Sequence, residues 1–206
     1  MNNISNWSTI ISILVAVVIF AFKEYLDRKR QKETNKNKIN AIKFYLARSC
    51  EINNWSLKQM KRNIYEMREY SNLTGFCKKT GQDGRVTILY PIENFAVNGE
   101  IYRQESIIPN VNVEEFKQLL ILVAELNPKL SLKLESAITG ISELKHVRDS
   151  LIGYFSNEDE NGDNQTPFHW ESFPEYALSE LDDTFECLDA LYRACTGKPL
   201  QDHRVR

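Results

Sequence analysis

No charged side chain precedes Lys23 in this 206-residue chain. That absence removes the basic start that a cleaved secretory leader needs, and Phe22-Lys23-Glu24 lacks the small residues of a cleavage site. Cysteine is scarce: Cys50, Cys77, Cys187 and Cys195 are the whole set, none in C-x-x-C spacing, which excludes a disulfide-dense scaffold. Eight glycines and six prolines are too few for a collagen-like or low-complexity chain. A net charge of −2 and a pI near 6.0 exclude a globally basic nucleic-acid binder. At 42% hydrophobic residues the chain can build a core, so wholesale disorder is excluded too.

What is present is concentrated at the N-terminus. Trp7 to Phe22 is an uncharged run without proline or glycine. At 1.5 Å per residue its sixteen residues reach about 24 Å, and a bilayer core is about 30 Å thick. Flanking residues close that gap, so the sequence predicts a transmembrane helix over 7–26. A short outside tail (1–6) precedes it and a basic juxtamembrane segment (27–36) follows. Trp7 and Tyr25 stand where interfacial aromatics belong, and Lys23 can snorkel its ammonium to the headgroups. A buried core helix or a surface-lying amphipathic helix would need a polar face, and only Ser8, Thr9 and Ser12 offer one. Arg28, Lys29 and Arg30 open a basic cluster beyond the run. The positive-inside rule therefore sets the N-terminus outside the cell membrane and the C-terminal bulk in the cytoplasm. There the four cysteines would be free thiols. Ser8, Ser12 and Ala16, on successive turns, form the small-residue seam of the run and a candidate helix–helix contact in a homo-oligomer.

The remainder reads as a helical domain over 37–198 with a loose tail at 199–206. Ile39, Ile42, Leu46, Asn53, Leu57, Met60, Ile64 and Met67 recur at helical spacing from about 35 to 70, and nothing after Lys23 breaks a helix continuing from the span. Residues 85–108 look like a small β insert: Pro91 interrupts a strand, and Asn98-Gly99 has the composition of a tight hairpin turn. Asn112 with Glu115, and Ser172 with Glu175, resemble capping boxes that start two helices. The first of these is apolar all round from Leu119 to Ala124 and is expected to be the most buried of the set. A stripe from Leu130 to Phe155 marks another helix, weakened slightly by Gly140 and Gly153. Ala177, Leu181, Thr184, Leu188, Leu191 and Cys195 mark the last, stopped by Gly197. The fold class expected is mainly α: a single N-terminal transmembrane helix, then a cytoplasmic antiparallel four-helix bundle with a small β-hairpin insert.

Chemistry is hard to find. An RNase of the HEPN type carries an Arg, then four to six residues, then a His, and His146, His169 and His203 all lack such an Arg. Glu143 and His146 make one Glu-x-x-His, where a di-iron bundle needs two. Residues 159–170 start like a calcium loop, but Asn164 and Trp170 replace its Gly and Glu. Cys187 and Cys195 lie about 12 Å apart along one helix, too far for a bridge or a shared ion. Phe168, Trp170 and Phe173 read as a staple of a helix start, and Glu143 with Lys145 and Arg148 as surface pairs. No phosphate loop or nucleophile motif is present, and aromatics do not interleave the basic run in a nucleic-acid pattern. No catalytic residue, metal or cofactor is therefore expected. The partners expected are the lipid bilayer, an unidentified protein and a second copy of the chain, and not nucleic acid. The function expected is a non-catalytic, membrane-anchored interaction or scaffolding protein. The alternative is an oligomerising membrane effector that perturbs the bilayer, of a toxin or phage-defence type.

Overall fold

The computed structural model describes residues 3–69, 76–97, 100–155 and 170–201, and of residues 3–11, 13, 91–97 and 100–103 the backbone alone. The protein is mainly helical with a small antiparallel sheet: α1 (Asn3–Arg68), β1 (Cys77–Thr80), β2 (Val86–Val97), β3 (Glu100–Ile108), α2 (Glu114–Leu126), α3 (Pro128–Gly153) and α4 (Phe173–Thr196). It divides into two compact units, Met1–Ile42 and Lys43–Arg206.

The first unit is helix throughout its described backbone. Among the described residues no helix is long and apolar enough to cross a membrane. The span expected over 7–26 begins among side chains outside the described residues, and the described apolar run reaches only from Leu14 to Phe22. Those nine residues rise about 13 Å, less than half of a bilayer core.

In the second unit the end of α1 buries the expected stripe of Leu46, Leu57, Met60, Ile64 and Met67. Asn53 belongs to it because its amide donates to the Ser49 carbonyl at 2.9 Å, which satisfies a polar group inside the core. Three contacts give the direction of α4: Glu51 meets Tyr192, Lys61 pairs with Asp182, and Arg68 approaches Glu175 at 4.0 Å. Rising numbers on α1 meet falling numbers on α4, so these helices are antiparallel. Gly140 against Thr184 and Tyr154 against Phe173 show the same for α3 and α4. Gly140 is more than a weak helix former. A Cβ there would stand 3.2 Å from the Thr184 Cα, and the Thr184 hydroxyl donates to the Gly140 carbonyl at 2.9 Å. The absent side chain is what lets α3 and α4 touch.

The sheet corrects the expected hairpin. It has three strands in the order β1-β2-β3, with Cys77 opposite Leu89 and Val86 opposite Ile108. The β1 strand is only four residues long and carries two lysines, so it has no alternating pattern to announce it. Gly84, at φ 75°, makes the β1–β2 turn, where the Gly81 N–H donates to the Arg85 carbonyl. Pro91 does not interrupt β2. It sits opposite Arg103 at the start of a register shift that ends at Ala96, the kind of irregularity that tolerates a residue without an N–H. Asn98 and Gly99 lie outside the described residues, between the paired Val97 and Glu100.

The α2 helix is the clearest correction. Only Phe116 and Val123 are buried, while Ile121 is 76% exposed and Leu122 is also exposed. One neighbouring helix covers one stripe, and a run that is apolar all round cannot say that its other stripes go uncovered. Both capping boxes are replaced. Asn112 accepts from the Glu114 N–H at 3.1 Å while its own amide donates to Glu115, and no side-chain cap bond is made at the Ser172 position. The α3 helix is capped instead by Asn127, which accepts from the Leu130 N–H at 3.1 Å. Cys195 is only half-buried. Leu200, expected in the loose tail, is buried, and its N–H donates to Asp189 at 2.7 Å.

Candidate functional site

The residues singled out in the sequence lie on α1. The side chains of Trp7 and Ser8 fall outside the described residues. Ser12, Ala16, Lys23, Tyr25, Arg28, Lys29 and Arg30 are all exposed. Between them Leu14, Val15, Val17, Val18, Ile19, Phe20 and Phe22 are exposed as well, with Phe20 at 70%. A helix of 3.6 residues per turn spreads these over every side, so this is a belt of apolar surface and not a stripe. Beyond it Arg28 pairs with Glu24 at 2.9 Å and Arg30 stands 4.0 Å from Asp27. The two arginines of the cluster are thus partly neutralised within the helix, each by an acid three or four residues earlier.

The second unit holds a groove of about 220 Å³ between α1 and β3. Trp55, Gln59, Arg62 and Glu66 form one wall because positions 4, 7 and 11 residues apart share a helix face. The other wall is the strand run Gln104–Ile107. A polar network fixes the floor. The buried Asn63 carbonyl oxygen accepts from Ser106 at 2.6 Å and from Gln59 at 3.0 Å, and its amide donates to the Ile107 carbonyl at 3.1 Å. Burial pushes the Glu66 carboxyl up, but donation from Arg62 at 2.7 Å and from the Tyr90 hydroxyl at 2.7 Å outweighs it. The group is held below the usual carboxylate range. The groove therefore carries an ionised, engaged carboxylate, a guanidinium, amides and one indole. The lining hydroxyl, Ser106, donates to the Asn63 amide oxygen and not to a base, so it is not activated as a nucleophile. Sequence reasoning placed Ile64 and Met67 correctly and gave Asn63 and Glu66 no role. Helical spacing cannot show which polar residues a distant strand will face.

The other candidates separate. Glu143 is half-buried and His146 exposed, and among the described residues no group of three His, Cys, Asp or Glu side chains is placed to hold a metal. Arg148 does not pair with Glu143. It donates to the Pro109 carbonyl at 2.8 Å and to Asn110 at 3.0 Å, tying α3 to the end of β3, and also meets Asp149 at 2.8 Å. Trp170 and Phe173 are buried and stacked, with Tyr154 edge-on to both, so the expected staple is aromatic packing around a residue the sequence reading passed over. Residues 159–169, including the calcium-like loop, Phe168 and His169, lie outside the described residues, as does His203. None of the four cysteines forms a disulfide. Burial pushes the Cys195 thiol up to about 11 and raises Cys50 and Cys187, so none of these three is poised as a nucleophile at neutral pH. No family model matches this chain, and no curated protein and no solved structure is similar to it.

Proposed function

We propose that this chain is a single-pass membrane-anchored interaction protein without catalysis, its helical domain held at the cytoplasmic face of the cell membrane. The observation that carries the reading is the belt of exposed apolar side chains from Leu14 to Phe22. Water makes such a belt costly at about 25 cal/mol per Å² of apolar area, and lipid removes the cost. The uncharged residues before it lengthen the apolar stretch toward a full span, and the lysines and arginines after it orient the chain. The domain suits an interaction role because it keeps apolar and aromatic groups outside its core. Phe44 is 79% exposed, and Trp55, Ile107 and Ile121 are exposed too.

The test is alkaline carbonate extraction of the full chain from membranes, with a reporter fused after Arg206. The expected result is retention in the pellet and a reporter active in the cytoplasm. Release of the chain into the wash would overturn the membrane reading. Depolarisation of cells on expression, lost when residues 1–30 are deleted, would favour the bilayer-perturbing alternative.

A further inference from the structure

We propose that Lys29, Lys32 and Lys36 form a docking face for the anionic phospholipid headgroups of a bilayer, along which α1 lies tilted after it leaves the apolar core. The inference rests on the membrane reading above and adds the ligand, the residues and the geometry. Val18, Phe22, Tyr25, Lys29, Lys32 and Lys36 follow one another at intervals of four, three, four, three and four residues. That spacing puts all six on one side of α1. The line changes from apolar through aromatic to cationic in chain order, which is the order a bilayer offers from core to interface to headgroup. All six are exposed.

Ion pairing singles out the lysines. Arg28 and Arg30 are engaged by Glu24 and Asp27, and among the described residues Lys29, Lys32 and Lys36 make no ion pair. Glu33 is exposed on the same side and pairs with none of them, leaving the face with an excess of positive charge. A bilayer surface is the occupant that fits, because the cationic stretch continues the apolar one on the same side without a break. A soluble polyanion would have no use for Val18 and Phe22.

Geometry makes the proposal sharper than a general basic cluster. Lys36 lies about 21 Å along the axis from Phe22. Surface potential decays over about 8–10 Å at physiological salt, so an upright helix would hold Lys36 out of its reach. Contact at Lys36 requires the helix to tilt toward this face. Lys38 is then an internal control. It is exposed and two residues further on, but turned about 180° from Lys29.

The experiment is lysine acylation by a neutral reagent, read by mass spectrometry, on the full chain reconstituted into vesicles. One set is phosphatidylcholine alone and the other contains phosphatidylglycerol. A lysine near an anionic surface gains about fivefold in affinity for it, so labelling of Lys29, Lys32 and Lys36 should fall severalfold in the anionic vesicles and recover in high salt. Labelling of Lys38 and Lys198 should stay level. Equal protection of Lys36 and Lys38, or of neither, overturns the docking face. Equal protection of the three lysines by glycerol phosphate or duplex DNA added to phosphatidylcholine vesicles also overturns it. A carbonate wash of the same vesicles reads the span separately. Retention with uniform labelling rejects this inference alone. Release by the wash rejects the span, and release together with uniform labelling rejects both.

Discussion

Residues 14–38 and 46–67 belong to one continuous helix, and their side chains obey different geometries. In the earlier stretch apolar residues are consecutive and exposed on all sides, from Leu14 to Phe22, and charged residues follow as a block. In the later stretch Leu46, Leu57, Met60, Ile64 and Met67 recur at helical spacing, all buried, with Arg48, Lys58, Lys61 and Arg62 interleaved among them. Backbone propensity is the same problem in both, and the environment each answers to is not. A stripe answers to a partner element on one side, whereas a belt answers to a surrounding medium. Hydrogen bonding makes the same distinction. The later stretch reaches out through Asn63 and Glu66 to β3 and β2 and through Lys61 to α4, while the earlier one bonds within itself, as Arg28 does with Glu24.

The largest expected effect comes from placing the same charge in each stretch. Leu46→Asp puts a carboxylate at a fully buried position and should cost several kcal/mol, enough to unfold the domain in denaturant titrations followed by near-ultraviolet circular dichroism. Phe20→Asp should leave that titration unchanged and reduce retention in membranes, since an acidic residue within a span costs about 2.5–3.5 kcal/mol on insertion. A shared denaturation midpoint for the two variants would erase the distinction between stripe and belt.

The two helical glycines of α3 give a smaller contrast. Gly140→Ala drives a Cβ to within 3.2 Å of the Thr184 backbone, which cannot rotate away, and should destabilise by about 1–3 kcal/mol. Gly153→Ala meets nothing within 4 Å and should stabilise by about 0.4–1 kcal/mol. Equal midpoints would mean that α3 and α4 do not approach at Gly140.

The smallest effect is one of pH. The folded Glu66 carboxyl lies below its ordinary value of 4.5, so its bonds to Arg62 and Tyr90 add stability above that value. The contribution is lost as pH falls through the lowered value. A Glu66→Gln variant should therefore lose less stability than the unaltered chain on acidification below about pH 5, by under about 1 kcal/mol for so exposed a pair. Parallel stability–pH curves would show that the groove's carboxylate is idle.

The stop of α4 at Gly197, the faces that α1 and α4 bury and the apolar N-terminal run were legible in the sequence, because each is a local property of spacing and composition. The buried faces of α1 and α4 came through from Leu46 to Met67 and from Ala177 to Leu191. Tertiary structure alone decided the rest. It paired Cys77–Thr80 into a third strand, left Ile121 outside, buried Leu200 through Asp189, turned Gly140 from a weakness into a contact, and closed Asn63 onto β3. Each of these depends on which surface arrives from a distant part of the chain. Spacing along one helix records that a face must be covered, and the partner that covers it is written in the packing of the others.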